Sequence, residues 1–373
     1  MAVSSRHPMI RWAVPALAVA AIGAASVAPS AIADPALPPK TAEQLLVDLK
    51  NQQASAFSGT VESSSDLGLP ALPIGTESDF AALTSGTHTL RVWHAGDHRS
   101  RVTLLGDGSE ATVIQNGSDI WQWSSSTGTA KHAVVSKDHP TEGERPAQPH
   151  TPVTPQEAAE QALAHIEPTT AVTVSQTSRV AGRPAYELVL EPKSDDTLVA
   201  KVTLAVDAET NAPLRVEVWG NGADKPAIQV GFTSVEFAAP DASVFEFNPP
   251  AGTTVEPLET GANSDRAPHG ERAGEKPAGH AEPTVVGEGW DKVTVTALPA
   301  LPENDDPATQ RRAEHRGEPA DFRQMIDQLP TVQGPWGTGR VLTSALFTVV
   351  VTDDGRMAVG MVPADTVVAA IPQ

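Results

Sequence analysis

The sequence predicts an α+β fold built mainly on antiparallel β-sheet. Short runs of alternating apolar and polar residues, joined by close Gly-, Asp- and Asn-rich links, fill residues 88–124 and 171–235, as in an antiparallel meander. One amphipathic helical segment precedes each block of strands. A further strand, helix and hairpin follow after a Pro/Gly/charged stretch, so a small C-terminal αβ segment is expected.

Both predicted helices have start signals and one apolar face. The first covers residues 41–53, where Thr41 is the capping residue and leucines recur at Leu45, Leu46 and Leu49. The second covers residues 156–165, after the capping sequence Thr-Pro-Gln-Glu at 154–157, which places proline at the first helical position. We expect both helices to pack on the sheet.

The alternating runs predict ten strands before residue 255. They lie at residues 57–63, 88–94, 99–105, 111–115, 119–124, 171–179, 185–191, 198–206, 214–219 and 227–235. Because side chains two apart on a strand share a face, Tyr186, Leu188 and Leu190 form one set and Val202, Leu204 and Val206 another. We expect both sets to point inward.

The stretch around Ser118 allows either an enzyme or a binder. Asn116 and Gly117 suit the two corners of a hairpin, which would make Ser118 the residue after a turn. A nucleophile elbow would need Gly-x-Ser-x-Gly, which the chain lacks. The pattern favours a turn.

Tryptophans stand out on the predicted strands. Trp121 and Trp123 are two apart and share a face, and Trp93 is expected on a neighbouring strand of the meander. Each ring buries on the order of 150–250 Å². Ordinary core and the lining of an apolar cavity are both compatible with this pattern.

Composition excludes several kinds of site. The chain has no cysteine, which removes disulfides, thiolate metal sites and a lipidated cysteine anchor. His94 and His98 are four residues apart but bracket Ala-Gly-Asp, which indicates a loop rather than a metal-binding helix, and His88 adds no His-Glu-x-x-His motif. No glycine loop for phosphate precedes a helix. The net charge of −20 makes nucleic acid a poor partner. No catalytic residue, metal or cofactor is predicted.

The N-terminus predicts export. A basic start with Arg6 and Arg11, an apolar run at 12–28 and small residues at 31–33 form a signal peptide, with cleavage expected after Ala33. The mature protein is expected to be a secreted or extracytoplasmic monomer. An uncleaved anchor is the alternative.

Four segments are expected along the chain. Residues 1–33 form the signal peptide, 34–255 the main domain, 256–288 a linker and 289–373 the C-terminal segment. Within the last, we predict a strand at 292–298, a charged loop at 302–320, a helix at 321–329, and a hairpin of 344–352 with 357–362. Asp354 and Gly355 suit a type I′ turn there.

The order of these motifs resembles the LolA-like superfamily, which includes lipoprotein carriers and the RseB/MucB sensors of envelope stress. The resemblance rests on the sequences NGSDIWQW at 116–123, VAGRPAYELVLEPK at 180–193, VDAETNAPLRV at 206–216 and FEFNPPAG at 245–252. It implies an incomplete, half-open β-barrel with helices on its concave face. Arg91 and Arg101 are candidates for the arginine that holds the lid of the carriers.

The resemblance also implies a function without catalysis. An apolar cavity would hold a lipid or the acyl chains of a lipoprotein, as in a carrier that works with an export transporter. The alternative is an RseB-like sensor that regulates an anti-sigma factor. We predict the cavity wall at Trp93, Trp121, Trp123, Tyr186, Leu188, Leu190, Val202 and Leu204. We predict its rim or gate in the apolar loop at Leu67, Leu69 and Leu72.

Overall fold

The computed structural model describes the chain in eight stretches. They are residues 37–52, 56–69, 79–96, 98–134, 153–164, 168–258, 283–298 and 326–373. The predicted signal peptide, the charged loop at 302–320 and Leu72 lie outside the described residues. Across the described stretches, no helix has both the length and the apolar character needed to span a bilayer.

A twelve-stranded sheet forms most of the protein. Its strands are β1 Phe57–Ser65, β2 Gly86–His94, β3 Arg99–Gly106, β4 Ser109–Asn116, β5 Asp119–Ser124, β6 Thr129–Val134, β7 Thr170–Val180, β8 Arg183–Pro192, β9 Val199–Asp207, β10 Pro213–Gly220, β11 Ile228–Glu236 and β12 Thr254–Pro257. Their spatial order is β12-β6-β5-β4-β3-β2-β1-β11-β10-β9-β8-β7. All neighbours are antiparallel except β12, which pairs in parallel with β6. This large curved sheet is not closed into a barrel, which confirms the predicted fold class.

A second sheet of six strands follows. It comprises β13 Thr284–Val286, β14 Val293–Ala297, β15 Thr331–Gly334, β16 Gly337–Thr343, β17 Thr348–Thr352 and β18 Arg356–Gly360, in the order β13-β14-β18-β17-β16-β15. Strand β12 reaches into the predicted linker at 256–288 and β13 lies within it, while residues 259–282 of that linker lie outside the described residues. Of the predicted helix at 321–329, residues 326–328 are helical and 321–325 lie outside the described residues.

Besides the helical residues 326–328, three α-helices are described. They are α1 Ala42–Asn51, α2 Pro155–Ala164 and α3 Ala364–Ala370. Thr41 caps α1 in a capping box with Gln44, and the amide of Glu157 donates to Thr154 Oγ1 at 3.2 Å at the start of α2. Leu45 and Leu49 of α1 and Ala158 and Ala159 of α2 are buried in the core of the larger sheet, so both predicted helices pack as expected.

The larger sheet has one apolar face, which we call the inner face. Directly opposed residues of antiparallel strands share a face. The register places Val230 opposite Val216, Val216 opposite Leu204, and Leu204 opposite Leu188. All four are at most 3% exposed and lie in the same core as the two helices. The inward sets predicted on β8 and β9 are therefore buried together.

Two predicted turns are displaced by a residue. Asn116 pairs with Asp119, so the corners of that hairpin are Gly117 and Ser118, and only Gly117 has positive φ, at 65°. Glycine at the first corner suits a type II′ turn. The β17–β18 loop has three residues, because Gly355 N–H donates to the Thr352 carbonyl at 3.1 Å and only Gly355 has positive φ. It is a type I turn with a bulge rather than type I′.

The two sheets are joined by the turn at 344–347, between β16 and β17. Ser344 Oγ accepts the amides of Leu346 and Phe347 at 3.2 and 3.0 Å, which fixes the turn's shape. Its Ala345 amide donates to the Leu67 carbonyl at 2.9 Å. Leu346, 5% exposed, is part of the larger sheet's core. The second sheet thus inserts a hydrophobic side chain into the first.

A second joint lies beside the first. The Met361 carbonyl accepts the Leu198 amide at 2.7 Å and Thr197 Oγ1 at 2.8 Å. Trp290 Nε1 donates to Thr170 Oγ1 at 2.8 Å in a buried position. Backbone and side-chain hydrogen bonds therefore hold the second sheet against the starts of β7 and β9.

A buried ion pair fixes the β9–β10 turn. The side chain of Asp207 is fully buried, and it accepts from Arg183 Nη2 at 3.0 Å and from the Thr210 and Glu209 amides at 2.8 and 3.0 Å. Burial alone would raise the pKa of Asp207. The hydrogen bonds from Arg183, Thr210 and Glu209 together have a larger, opposite effect, so the pKa lies below its ordinary value. The folded state therefore favours the carboxylate.

We expect Asp207→Asn to lower the free energy of unfolding by about 2 kcal/mol at neutral pH, because a charge-assisted buried network is lost. Since the folded pKa is depressed, this stabilisation is fully present above about pH 4 and disappears as the pH falls through the folded value. Urea unfolding across this range measures the gap between variant and wild type. Glu209→Gln is the control, because the Glu209 side chain is 82% exposed; equal losses in both variants would contradict the assignment.

Because the 344–347 turn packs against Gly220, any side chain added at Gly220 should clash with this turn. A Cβ at this position would lie 2.8 Å from the Ala345 carbonyl oxygen. We expect Gly220→Ala to push the turn away and cost about 1–3 kcal/mol, with faster hydrogen exchange at the Ala345 amide. In the control Gly106→Ala, the Cβ meets only the Ser109 hydroxyl, which rotates away. Unchanged protection of Ala345 in Gly220→Ala would refute the joint.

Candidate functional site: an apolar cavity between the sheets

A cavity of about 500 Å³ lies on the inner face of the larger sheet. Its size falls within the range of about 300–1,000 Å³ that is typical of small-molecule sites. The lining residues are Ser63, Ser64, Ser65, Leu67, Leu83, Thr84, Ala158, Gln161, Ala162, Val199, Val202, Val216, Val218, Ile228, Val230, Trp290, Leu346, Phe347 and Met361. We call this space the apolar chamber.

Each wall of the apolar chamber comes from a different element. Strands β9, β10 and β11 supply the valines and Ile228 of the floor, because every second side chain points inward. One face of α2 supplies Ala158 and Ala162. These small side chains keep the helix close to the sheet and leave space beyond it.

The remaining wall comes from loops of the second sheet and from the residues just before β14. Leu346 and Phe347 belong to the 344–347 turn, Met361 follows β18, and Trp290 precedes β14. The indole of Trp290 is 7% exposed and is held by its hydrogen bond to Thr170. The chamber therefore depends on how the second sheet is docked.

The described lining of the chamber supplies no group for acid–base chemistry. Among its described lining residues, none is ionisable, and the polar ones are serine, threonine and glutamine. In the described part of the chain, no group of three or more His, Asp or Glu side chains is placed to hold a metal ion. The arrangement suits the binding of an apolar group.

A second, more polar cavity of about 920 Å³ adjoins the apolar chamber. The two share Ser64, Ser65, Leu67, Thr84 and Phe347. We call the second cavity the antechamber. It lies where β1 ends and β2 and β11 begin, at the rim of the larger sheet.

The predicted wall residues divide between the two faces of the sheet. Tyr186, Leu188, Leu190, Val202 and Leu204 lie on the inner face, and Val202 lines the apolar chamber. The other four are packed core: Tyr186, for example, donates its hydroxyl to the Pro38 carbonyl at 2.8 Å, and Lys40 lies over its ring.

The three tryptophans lie on the opposite, outer face. The register places Trp93 opposite Arg101 and Trp121 opposite Ile114, whereas the alternate residue Val92 points into the inner core. The ring centroid of Trp121 lies 4.0 Å from that of His132. The eight predicted residues therefore do not form one wall. Side chains alternate between the two faces along β2 and β5, and the tryptophans occupy the positions that point outward.

The segment after β11 covers this outer face. Phe247 packs against Trp121 and Trp123, with ring centroids 5.3 and 6.3 Å apart. Arg101 lies over the Trp93 ring and donates to the Val244 carbonyl at 3.1 Å. Of the two lid-holding candidates, Arg101 thus holds a covering segment, whereas Arg91 is exposed on β2.

The predicted rim falls partly on the chamber's edge. Leu67 lines both cavities and Leu69 lines the antechamber, while Leu72 lies outside the described residues. Sequence reasoning missed Trp290, Leu346, Phe347 and Met361. The apolar run at 345–351, which only Thr348 interrupts, was the available signal, but it does not reveal which side chains leave their own sheet.

Comparisons with known proteins find a family match within the main domain. Residues 82–253 match the family model described as the MucB/RseB N-terminal domain. A search of curated proteins finds no match. Among solved structures, the Pseudomonas aeruginosa MucA/MucB complex is 17% identical, with 87% of this chain and 95% of that chain covered and a TM-score of 0.42.

Two further solved structures are similar. A crystal structure of MucB is 15% identical, with 88% of this chain and 96% of that chain covered and a TM-score of 0.38. A LolA superfamily protein from Nitrosomonas europaea is 12% identical, with 56% and 99% covered and a TM-score of 0.21. The family match covers residues 82–253, which include all four motifs on which the predicted LolA-like resemblance rests.

Proposed function

We propose that this protein is an extracytoplasmic, non-catalytic binding protein that holds an acyl chain of a lipid or lipoprotein in the apolar chamber. The observation that carries the proposal is the chamber itself, which is lined by valine, isoleucine, leucine and aromatic side chains without an ionisable group among those described. The predicted signal peptide supports a location outside the cytoplasm.

The energetics of an acyl ligand suit such a chamber. Each methylene moved from water to an apolar site contributes about 0.8 kcal/mol. Burial of roughly ten methylenes therefore gives about 8 kcal/mol, before the costs of ordering ligand and protein. Affinity of this origin depends on contact with apolar walls rather than on charge. The walls of the chamber are mainly apolar.

A second candidate is an RseB-like sensor that binds an anti-sigma factor. The match of residues 82–253 to the MucB/RseB N-terminal domain favours it, and one similar solved structure is a MucA/MucB complex. The two functions share the chamber if an acyl ligand adjusts how the protein binds its partner. A carrier would instead deliver its cargo to an export transporter.

Occupying part of the chamber with a bulky side chain should weaken acyl binding. Ala162 is half-buried on α2 and lines the chamber, so Ala162→Trp places an indole where the ligand would lie. We expect the affinity for a fluorescent fatty-acid probe to fall at least about tenfold, which corresponds to about 1.4 kcal/mol. The measurement is probe titration of the secreted protein after delipidation, with circular dichroism as the check on folding.

The matched control removes an aromatic ring from the other face. Trp121→Ala takes away a large side chain from the outer face, against His132 and Phe247, and should leave probe affinity within about twofold, because it leaves the chamber intact. Loss of binding in folded Trp121→Ala with retention in folded Ala162→Trp would place the ligand on the outer face and refute the proposal.

The sensor candidate predicts a specific protein partner. We expect the full mature protein to bind the purified extracytoplasmic segment of one anti-sigma factor from its own host, with an affinity that changes when an acyl ligand is added. Surface plasmon resonance against each such segment is the measurement. If none of them binds and an export transporter copurifies instead, the carrier function is favoured.

A further inference from the structure

The antechamber is a polar space that opens from the apolar chamber. Besides the residues it shares with that chamber, its lining includes Glu62, Asp66, Gly68, Leu69, Ser85, Gly86, Thr87, Lys225, Pro226 and Gln229. Because Val230 lies on the inner face and pairs with Ser63, the adjacent pair of Ser64 with Gln229 faces the outer side, so the antechamber extends over the rim of the sheet. An amphiphile with its acyl chain in the chamber would place its headgroup over this rim, past the residues that the two cavities share. The chemistry of this lining decides which headgroup fits.

The one cation of the described lining is already paired. Lys225 Nζ lies 2.5 Å from Asp66 Oδ2. The hydrogen bond from Lys225 lowers the pKa of Asp66, and the same bond raises the pKa of Lys225, so both groups stay charged near neutral pH. Glu62 adds a further carboxylate to the lining. The Lys225 and Asp66 side chains are 75% and 57% exposed, so water screens their charges. The formal charge of these three groups is negative, so the lining weakly repels rather than attracts a phosphate or carboxylate headgroup.

Neutral hydrogen-bonding groups make up the rest of the polar lining. Hydroxyls come from Ser64 and Ser65 at the end of β1 and from Thr84, Ser85 and Thr87 at the start of β2. Gln229 of β11 adds an amide with both donors and an acceptor. A hydroxyl is both donor and acceptor, so such a lining complements other hydroxyls without a cost in charge.

We propose that the antechamber selects an uncharged, hydroxyl-bearing headgroup, so that the ligand is a neutral glycolipid or acylglycerol rather than an anionic lipid. The inference rests on the proposed acyl-binding function and adds to it the class of headgroup. An anionic headgroup would have to break the Lys225–Asp66 pair or lie beside Glu62. A quaternary ammonium finds one aromatic ring in the described lining, that of Phe347, rather than a cage.

The test compares headgroups on one chain length. Dodecyl glucoside, monolauroylglycerol, dodecyl phosphate and dodecyltrimethylammonium, each below its micellar concentration, compete against the fatty-acid probe on the full mature protein. We expect either neutral compound to displace the probe about tenfold better than dodecyl phosphate or dodecyltrimethylammonium, the equivalent of one or two net hydrogen bonds. Glucoside ahead of monolauroylglycerol identifies a sugar headgroup, and the reverse order identifies glycerol.

A charge variant gives the sharper readout. Glu62→Gln combined with Asp66→Asn leaves Lys225 without its partner, so dodecyl phosphate should gain about threefold on dodecyl glucoside relative to wild type, since a charge-assisted contact with an exposed lysine becomes available. Asp224→Asn is the control, because this exposed acid precedes Lys225 but does not line the antechamber. It should leave the order of the headgroups unchanged.

Two outcomes overturn the inference, and they separate it from the proposed function. Equal displacement by all four compounds, or tightest binding of the phosphate or ammonium compound to wild type, refutes headgroup selection and leaves acyl binding in place. Failure of the probe and of every compound to bind the delipidated, folded protein overturns both.

Discussion

The apolar inner face of the twelve-stranded sheet has to be kept from water, and the rest of the structure follows from how this is done. Two helices of ten residues each cover part of the face. They are too short to cover the ends of β9, β10 and β11 as well. Leu346 from the second sheet and Trp290 close that region, and each is held by hydrogen bonds of its own turn or ring. The docking of the second sheet is therefore part of the first sheet's core.

Because the helices and the second sheet cover different parts of the inner face, a cavity remains between them instead of a filled core. The helix contributes small side chains, Ala158 and Ala162, while the opposing wall is supplied by residues whose position depends on a different sheet. A ligand in such a space contacts both parts of the protein at once. Its binding is therefore linked to the docking of the second sheet, since any ligand that prefers one arrangement of the walls stabilises that arrangement. That linkage is what a sensor needs, and a carrier would use it to load and release cargo.

The sequence predicted the regular parts of this architecture and missed those set by long-range contacts. Strong alternation located β7 to β11 within about two residues, and the Thr41 and Thr154 caps located both helices, because these signals are local. Strand β6 was missed, since Thr129–Val134 alternates weakly, and β12 is four residues with a proline. The tryptophans were correctly placed on strands, but spacing alone gives only a shared face, and the register with Val92 and Ile114 decides which face it is. Nothing local marks Leu346 or Trp290 as walls of a cavity more than 100 residues away in the chain.

The most direct test of the account is to locate a bound acyl chain. A nitroxide-labelled fatty acid added to ¹⁵N-labelled protein broadens the indole signals of tryptophans that lie close to it, and tryptophan-to-phenylalanine variants assign those signals. The apolar chamber is lined by Trp290, whereas Trp121 and Trp123 lie on the outer face. We predict that the Trp290 indole signal disappears while those of Trp121 and Trp123 persist. Loss of the Trp121 and Trp123 signals with Trp290 unaffected would contradict the central claim that the ligand lies between the two sheets.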